Sequence, residues 1–109
     1  MALALDDFSD PDIEAVPEEF SLSQNHPNPF NVSTQISYTL PEDVEVKIEV
    51  YNVRGQRVKQ FDLGLQPAGY KTLIWEGRNQ NGDAVSSGIY FYRIKAGEFV
   101  ETRRMTLLK

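Results

Sequence analysis

The stretch VEVKIEVY, Val44 to Tyr51, puts Val44, Val46, Ile48 and Val50 on one side of a two-residue repeat and Glu45, Lys47 and Glu49 on the other. In an extended chain successive side chains point to opposite faces, so this repeat buries one face and wets the other. As a helix the same residues would scatter their valines around the axis. The alternation constrains the fold more than any other feature because it recurs. Ile36, Tyr38 and Leu40 alternate with Gln35, Ser37 and Thr39 as far as Pro41, which stops that strand. Val58 to Leu65 carries a weaker version suited to a sheet edge, and YKTLIWEG sets Leu73 and Trp75 on one face. SGIYFYRIKA sets Tyr90 and Tyr92 opposite Phe91, and FVETRRMTLLK reads as the last strand.

Between these runs lie residues with turn chemistry. Asn52 and Gly55 turn the chain, Pro67 to Gly69 combines a preset φ with a glycine, and Gly97-Glu98 makes a tight turn. Asn81-Gly82 is a strong hairpin dipeptide. Short strands spaced by about ten residues, with no amphipathic helix, predict an all-β fold: an immunoglobulin-like β-sandwich of about seven antiparallel strands.

Charge divides the 109-residue chain in two. Residues 1–19 hold seven of the sixteen acids and none of the eleven bases, which leaves eleven bases against nine acids in the remainder. Like charges repel, and a segment with few apolar groups does not offset the entropy of ordering. Residues 1–19 therefore read as an acidic flexible linker, and residues 20–109 as one nearly neutral domain. MALAL is too short for the apolar region of a signal peptide, so an exported parent would carry its leader elsewhere. No run of residues is long and apolar enough to suggest membrane insertion.

The chain lacks cysteine, which removes disulfides, thiol nucleophiles and thiolate metal sites together. Its single histidine, His26, stands between Asn25 and Pro27 with no carboxylate near it in sequence, and Glu42 beside Asp43 reads as a solvated turn. Asn79 to Asp83 offers oxygen ligands for calcium but lacks the spaced carboxylates of a full calcium loop, so the hairpin reading is preferred. Arg103 and Arg104 form too small a basic patch for nucleic acid. No enzyme, cofactor or metal site is expected.

Four stretches taken in order carry a resemblance. FSLSQNHPNPFN from Phe20, VEVKIEVYNVRGQRV from Val44, SGIYFYRIKAG from Ser87 and the terminal ETRRMTLLK together resemble the type A C-terminal sorting domain of the type IX (Por) secretion system, a module of exported proteins in Bacteroidetes and related phyla. The residues that match its motifs are Pro27, Asn28, Pro29, Phe30, Gly55, Gly88, Tyr90 and Tyr92. His26 departs from the family's usual aromatic and Val32 from its frequent proline.

The resemblance implies an immunoglobulin-like sandwich that acts as an address and not as an enzyme. An N-terminally fused cargo would cross the inner membrane on its own signal, fold in the periplasm and pass through the outer membrane to the cell surface. An outer-membrane shuttle protein would recognise the domain, and a sortase would cut before Phe20, within Val16, Pro17, Glu18 and Glu19. An extended acidic segment is what a protease needs there.

By the same resemblance Arg104, Met105, Leu107, Leu108 and Lys109 would carry recognition on a final strand whose edge stays free for docking. A plainer reading has Met105 and Leu107 complete the core while Arg103, Arg104 and Lys109 stay in water. Two other functions fit the strand pattern. One is a structural domain of the flagellar hook-capping type, which shares the Y…GxxV and SGxYFY style of strands. The other is a carbohydrate-binding accessory domain that stacks sugars on aromatics such as Trp75 or Tyr92.

Overall fold

A computed structural model describes residues 16–109; the greater part of the acidic linker, residues 1–15, lies outside the described residues. Seven strands form, β1 (Ser21–Leu22), β2 (Thr34–Leu40), β3 (Val44–Asn52), β4 (Arg57–Gln66), β5 (Gly69–Trp75), β6 (Gly88–Ala96) and β7 (Phe99–Leu107). They pair antiparallel into a three-stranded sheet, β1-β2-β5, and a four-stranded sheet, β4-β3-β6-β7. The expected all-β sandwich of seven antiparallel strands is what forms.

Alternation decides which side chains go in. Val46, Ile48 and Val50 of β3 and Tyr92, Ile94 and Ala96 of β6 point across to Ile36, Tyr38 and Leu40 of β2, and all nine are buried. Each large aliphatic in that layer contributes roughly 1.5–3 kcal/mol by leaving water. Trp75, at the end of β5, lies between Phe30 and Tyr90 at ring centroid distances of 5.7 and 5.5 Å. Its indole nitrogen donates to the Arg78 carbonyl at 2.9 Å, so the polar end of the ring is satisfied inside the core.

Two of the expected turns join paired strands as read, Asn52 to Gln56 between β3 and β4 and Gly97-Glu98 between β6 and β7, while Pro67-Ala68 carries the chain from β4 across to β5 in the other sheet. Gly97 has φ +60, and a Cβ there would sit 3.0 Å from Val44 Cγ2, so both conformation and space call for glycine. The Asn81-Gly82 dipeptide forms its turn but not a hairpin between consecutive strands. It closes one isolated bridge, Arg78 with Ala84, because β5 and β6 belong to different sheets. The two-residue β1 carries too little alternation to be read from sequence.

β4 and β5 are the free margins on one side of the sandwich. β4 is interrupted by register shifts at Val46/Lys47 and Val50/Tyr51, and its Val58 and Gln60 backbones are held by Gln80. Lys59 and Lys71 stand at core-facing positions of these two strands, with the Lys59 ammonium 5.2 Å from the Phe61 ring centre. An inward lysine at a sheet margin resists pairing with another chain.

Candidate functional site

The segment between β1 and β2 runs along the outer margin of β7. Asn25 is buried and donates its amide to the Pro27 carbonyl at 3.2 Å and to Thr34 Oγ1 at 2.9 Å. Thr34, also buried, donates its hydroxyl to that same carbonyl at 2.9 Å. The X-Pro bonds His26–Pro27 and Asn28–Pro29 are both cis. Braced by the hydrogen bonds of Asn25 and Thr34, the loop delivers Phe30 into the end of the sandwich, where it is 2% exposed.

Phe30 then pairs with β7 in parallel. Its N–H donates to the Thr106 carbonyl at 3.0 Å and its carbonyl accepts from Leu108 N–H at 2.8 Å. Asn28 Oδ1 accepts from Thr106 N–H at 2.9 Å, and Gln24 Nε2 donates to the Arg104 carbonyl at 2.6 Å. The tie continues inward, with Arg103 Nε donating to the Leu22 carbonyl and the Tyr92 hydroxyl to the Ser23 carbonyl, at 2.6 and 2.7 Å. At the far end Lys109 N–H donates to Ser87 Oγ at 3.0 Å. The loop and the last strand thus form one corner, although about eighty residues separate them in sequence.

Pro27, Asn28, Phe30, Gly88 and the terminal residues meet here, with Tyr90 and Tyr92 beneath. Pro29, Arg104, Leu108 and Lys109 are exposed at the surface. Met105 and Leu107 of the expected recognition set are wholly buried in the core. The expectation of a free margin is corrected, because the loop already satisfies the β7 backbone at Arg104, Thr106 and Leu108. Gly55 sits in the β3–β4 turn with φ +82. Of the cleavage segment Val16, Glu18 and Glu19 are exposed, but Pro17 is buried and the Glu19 carbonyl accepts from Thr39 Oγ1 at 2.8 Å.

Next to this corner a cleft of about 430 Å³ opens between the β3–β4 turn and the segment that leads into β6. Asn52, Val53, Arg54, Ser86 and Ser87 line it, and Arg54 is its single formally charged residue. Trp75, Tyr90 and Tyr92 are core residues and offer no ring face to a sugar. In the 79–83 turn, Asn79 Oδ1 accepts from the N–H groups of Asn81 and Asp83 at 2.9 and 3.0 Å. Among the described residues no group of three histidine or acidic side chains gathers to hold a metal.

The clearest electrostatic feature is on the solvent side of the four-stranded sheet. Glu49 is 4% exposed, held by Arg93 at 3.1 Å and Arg57 at 3.4 Å. Burial raises the carboxyl pKa, but hydrogen bonding from Arg93, Tyr51 and Arg57 outweighs it and the net direction is down. Sequence alternation marks Glu49 as outward; that two arginines and a tyrosine cover it was not legible there.

The sequence model of the FlgD Ig-like domain matches residues 30–98. No curated protein sequence matches the chain. Among solved structures, dimeric latent PorU from Porphyromonas gingivalis aligns with a TM-score of 0.67 at 16% identity, over 88% of this chain and 10% of that one. FlgD from P. aeruginosa aligns with a TM-score of 0.57 at 21% identity, over 83% of this chain and 74% of that one. PorZ of P. gingivalis, described as a surface component of the type-IX secretion system, aligns with a TM-score of 0.51 at 14% identity, over 84% of this chain and 12% of that one. This chain therefore spans about a tenth of PorU and three quarters of that FlgD. Identities this low establish a shared fold.

Proposed function

The chain belongs to the FlgD Ig-like domain family, and from that premise we propose that it is a non-catalytic module that works by presenting a rigid β-sandwich corner to another protein, as an export address for a cargo fused before it. The observation that carries this reading is the corner itself. The HPNPF loop, His26 to Phe30, is hydrogen-bonded along the margin of β7, so the backbone that displays Arg104, Leu108 and Lys109 is fixed. A backbone already held in place loses little entropy when a partner grips the side chains it carries. On this reading the partners are an outer-membrane shuttle and a sortase, and the route leads through the periplasm to the cell surface.

The test fuses residues 20–109 to a periplasmic reporter in a host with a type IX route, and scores surface display. Display is expected to be lost when Arg104, Leu108 and Lys109 are together replaced by alanine while the thermal melt is unchanged. Full display from that folded variant would defeat the reading.

A second reading has the more direct support from the comparisons: a structural domain of the hook-capping type, favoured by the family match and by the likeness to FlgD. It separates from the first by what deletion does to the parent protein. A structural domain leaves export intact and impairs an assembly; an address abolishes export.

A further inference from the structure

β5 is an outer strand of its sheet, and the phase of the ladder fixes which of its backbone groups are left over. In an antiparallel ladder each residue turns its N–H and C=O to the same side. Gln35 exchanges both of its bonds with His26, Ser37 accepts from Ser23, and Thr39 pairs with Ser21, so these three residues of β2 face away from β5. Their counterparts across the ladder, Ile74, Thr72 and Tyr70, therefore turn N–H and C=O to the outer side of β5. Among the described residues no strand pairs with that side. The side chains of Tyr70 and Ile74 stand beside it, 58% and 49% exposed. The neighbouring margin differs, because Gln80 bonds the β4 backbone at Val58 and Gln60.

The core is also less closed on this flank. Phe61, Leu63 and Leu73 are only partly buried, whereas Phe30, Met105 and Leu107 at the β7 side are fully so. Two ammonium groups lie across the opening. Lys59 sits over the Phe61 ring, and Lys71 folds back along β5, its Nζ 3.8 Å from where a Cβ on Gly69 would be. Neither forms an ion pair among the described residues. At the Trp75 end a cleft of about 240 Å³ has Phe61 and Ile74 in its wall, with Lys59 and Arg78 against one acid, Glu76.

We propose that the free margin of β5 takes an extended segment of a partner protein as an additional antiparallel strand, and that this segment alternates apolar with acidic residues. Residues opposite Tyr70, Thr72 and Ile74 share their outward face, so apolar side chains there lie beside Tyr70 and Ile74. The residues between them point inward, where a carboxylate stem covers Leu63 and Leu73 and its head meets Lys59 or Lys71. The lysines that turn away an ordinary strand thus select this one. A second copy of the chain would bring its own Lys71 into the opening and add positive charge to it. This margin lies away from the β7 corner, so the proposal holds under either functional reading.

The test titrates the ¹⁵N-labelled full chain with the capped peptides TVEVEVT and TVKVKVT and follows the amide signals. TVEVEVT is expected to shift Tyr70, Thr72 and Ile74 most and to bind about tenfold more tightly than TVKVKVT. Methylating the amide of its central valine, which faces β5, should weaken binding by about fivefold or more, while methylating a glutamate amide, which faces water, should change it by less than about twofold. Lys59→Gln combined with Lys71→Gln should bring the two peptides within about twofold of each other. No shift at millimolar peptide, shifts centred on β7, equal affinity for the two peptides, equal effects of the two methylations, or a preference for TVEVEVT that survives the double substitution would each overturn the proposal. So would β5 amides that broaden with protein concentration in the absence of peptide, since the occupant would then be a second copy.

Discussion

Tyr92 ties the loop that follows β1 to the core through its ring and its hydroxyl together. Its ring is fully buried and its hydroxyl donates to the Ser23 carbonyl at 2.7 Å, so one side chain fastens the loop ahead of the corner to the middle of the four-stranded sheet. Burial pushes its pKa up to about 12. A folded-state pKa raised above the unfolded value of ~10 means that the unfolded chain ionises first as pH rises. The contribution to stability is whole below pH 10 and drains away between 10 and 12, at up to ~1.4 kcal/mol per pH unit. Denaturant midpoints measured from pH 9 to 12 should fall less steeply for Tyr92→Phe than for the native chain. At neutral pH the same variant should lose about 1–2 kcal/mol, because the Ser23 carbonyl is left without its donor. Glu49 has the opposite sign. Its lowered pKa gives a contribution that is complete above the ordinary glutamate range and is lost as pH falls through the folded value. Glu49→Leu leaves Arg93 and Arg57 without their carboxylate and should cost roughly 1–3 kcal/mol at pH 7, less at pH 3, read from urea midpoints.

At the scale of elements the informative contrast is between margins. β7 is closed by the loop, and a single acceptor, Asn28 Oδ1 on Thr106 N–H, stands at the centre of that closure. Asn28→Ala should raise hydrogen exchange at Thr106 and Leu108 about fivefold while Ile48 and Ile94 keep their protection, since one such bond is worth ~1 kcal/mol and acts locally. On the opposite side β4 and β5 rely on Lys59 and Lys71. Replacing both with valine should make the mass measured by sedimentation rise with concentration more steeply than in the native chain. The strands themselves were legible because period-two alternation is local: Val44 to Tyr51 shows its inner and outer faces within eight letters. The closure of β7 was not. Pro27 to Phe30 and Arg104 to Lys109 could each be marked from sequence, but their pairing depends on where two sheets place them, and no local pattern encodes that. Met105 and Leu107 show the same limit, since alternation put them on one face and only packing says that this face is the core.

For the molecule as a whole, the chain crosses between the two sheets three times, after β2, β4 and β5, and the last of these crossings is anchored by one residue. Asn81-Gly82 suggested a hairpin because the dipeptide specifies a turn and says nothing about whether its flanks lie side by side. What specifies the crossing is Trp75. It ends β5 fully buried, donates to the Arg78 carbonyl, and meets Phe30 from the corner loop and Tyr90 from β6. Segments from both sheets and from the corner loop therefore converge on one indole, so its loss is felt by the corner as well as the core. Trp75→Ala should cost about 3–5 kcal/mol, a large part of the ~5–15 kcal/mol that holds a domain together. At about 4–8 °C per kcal/mol for a domain near this size, the melting temperature should fall by roughly 15–30 °C. Trp75→Phe keeps the ring and loses the indole donor, and should fall by less than half as much. If the two variants melted together, the hydrogen bond to Arg78 and not the convergence of aromatic rings would be what fastens the sheets. If Trp75→Ala melted within a few degrees of the native chain, the corner would have to be held by the β7 hydrogen bonds alone, and Asn28→Ala would then produce the larger fall.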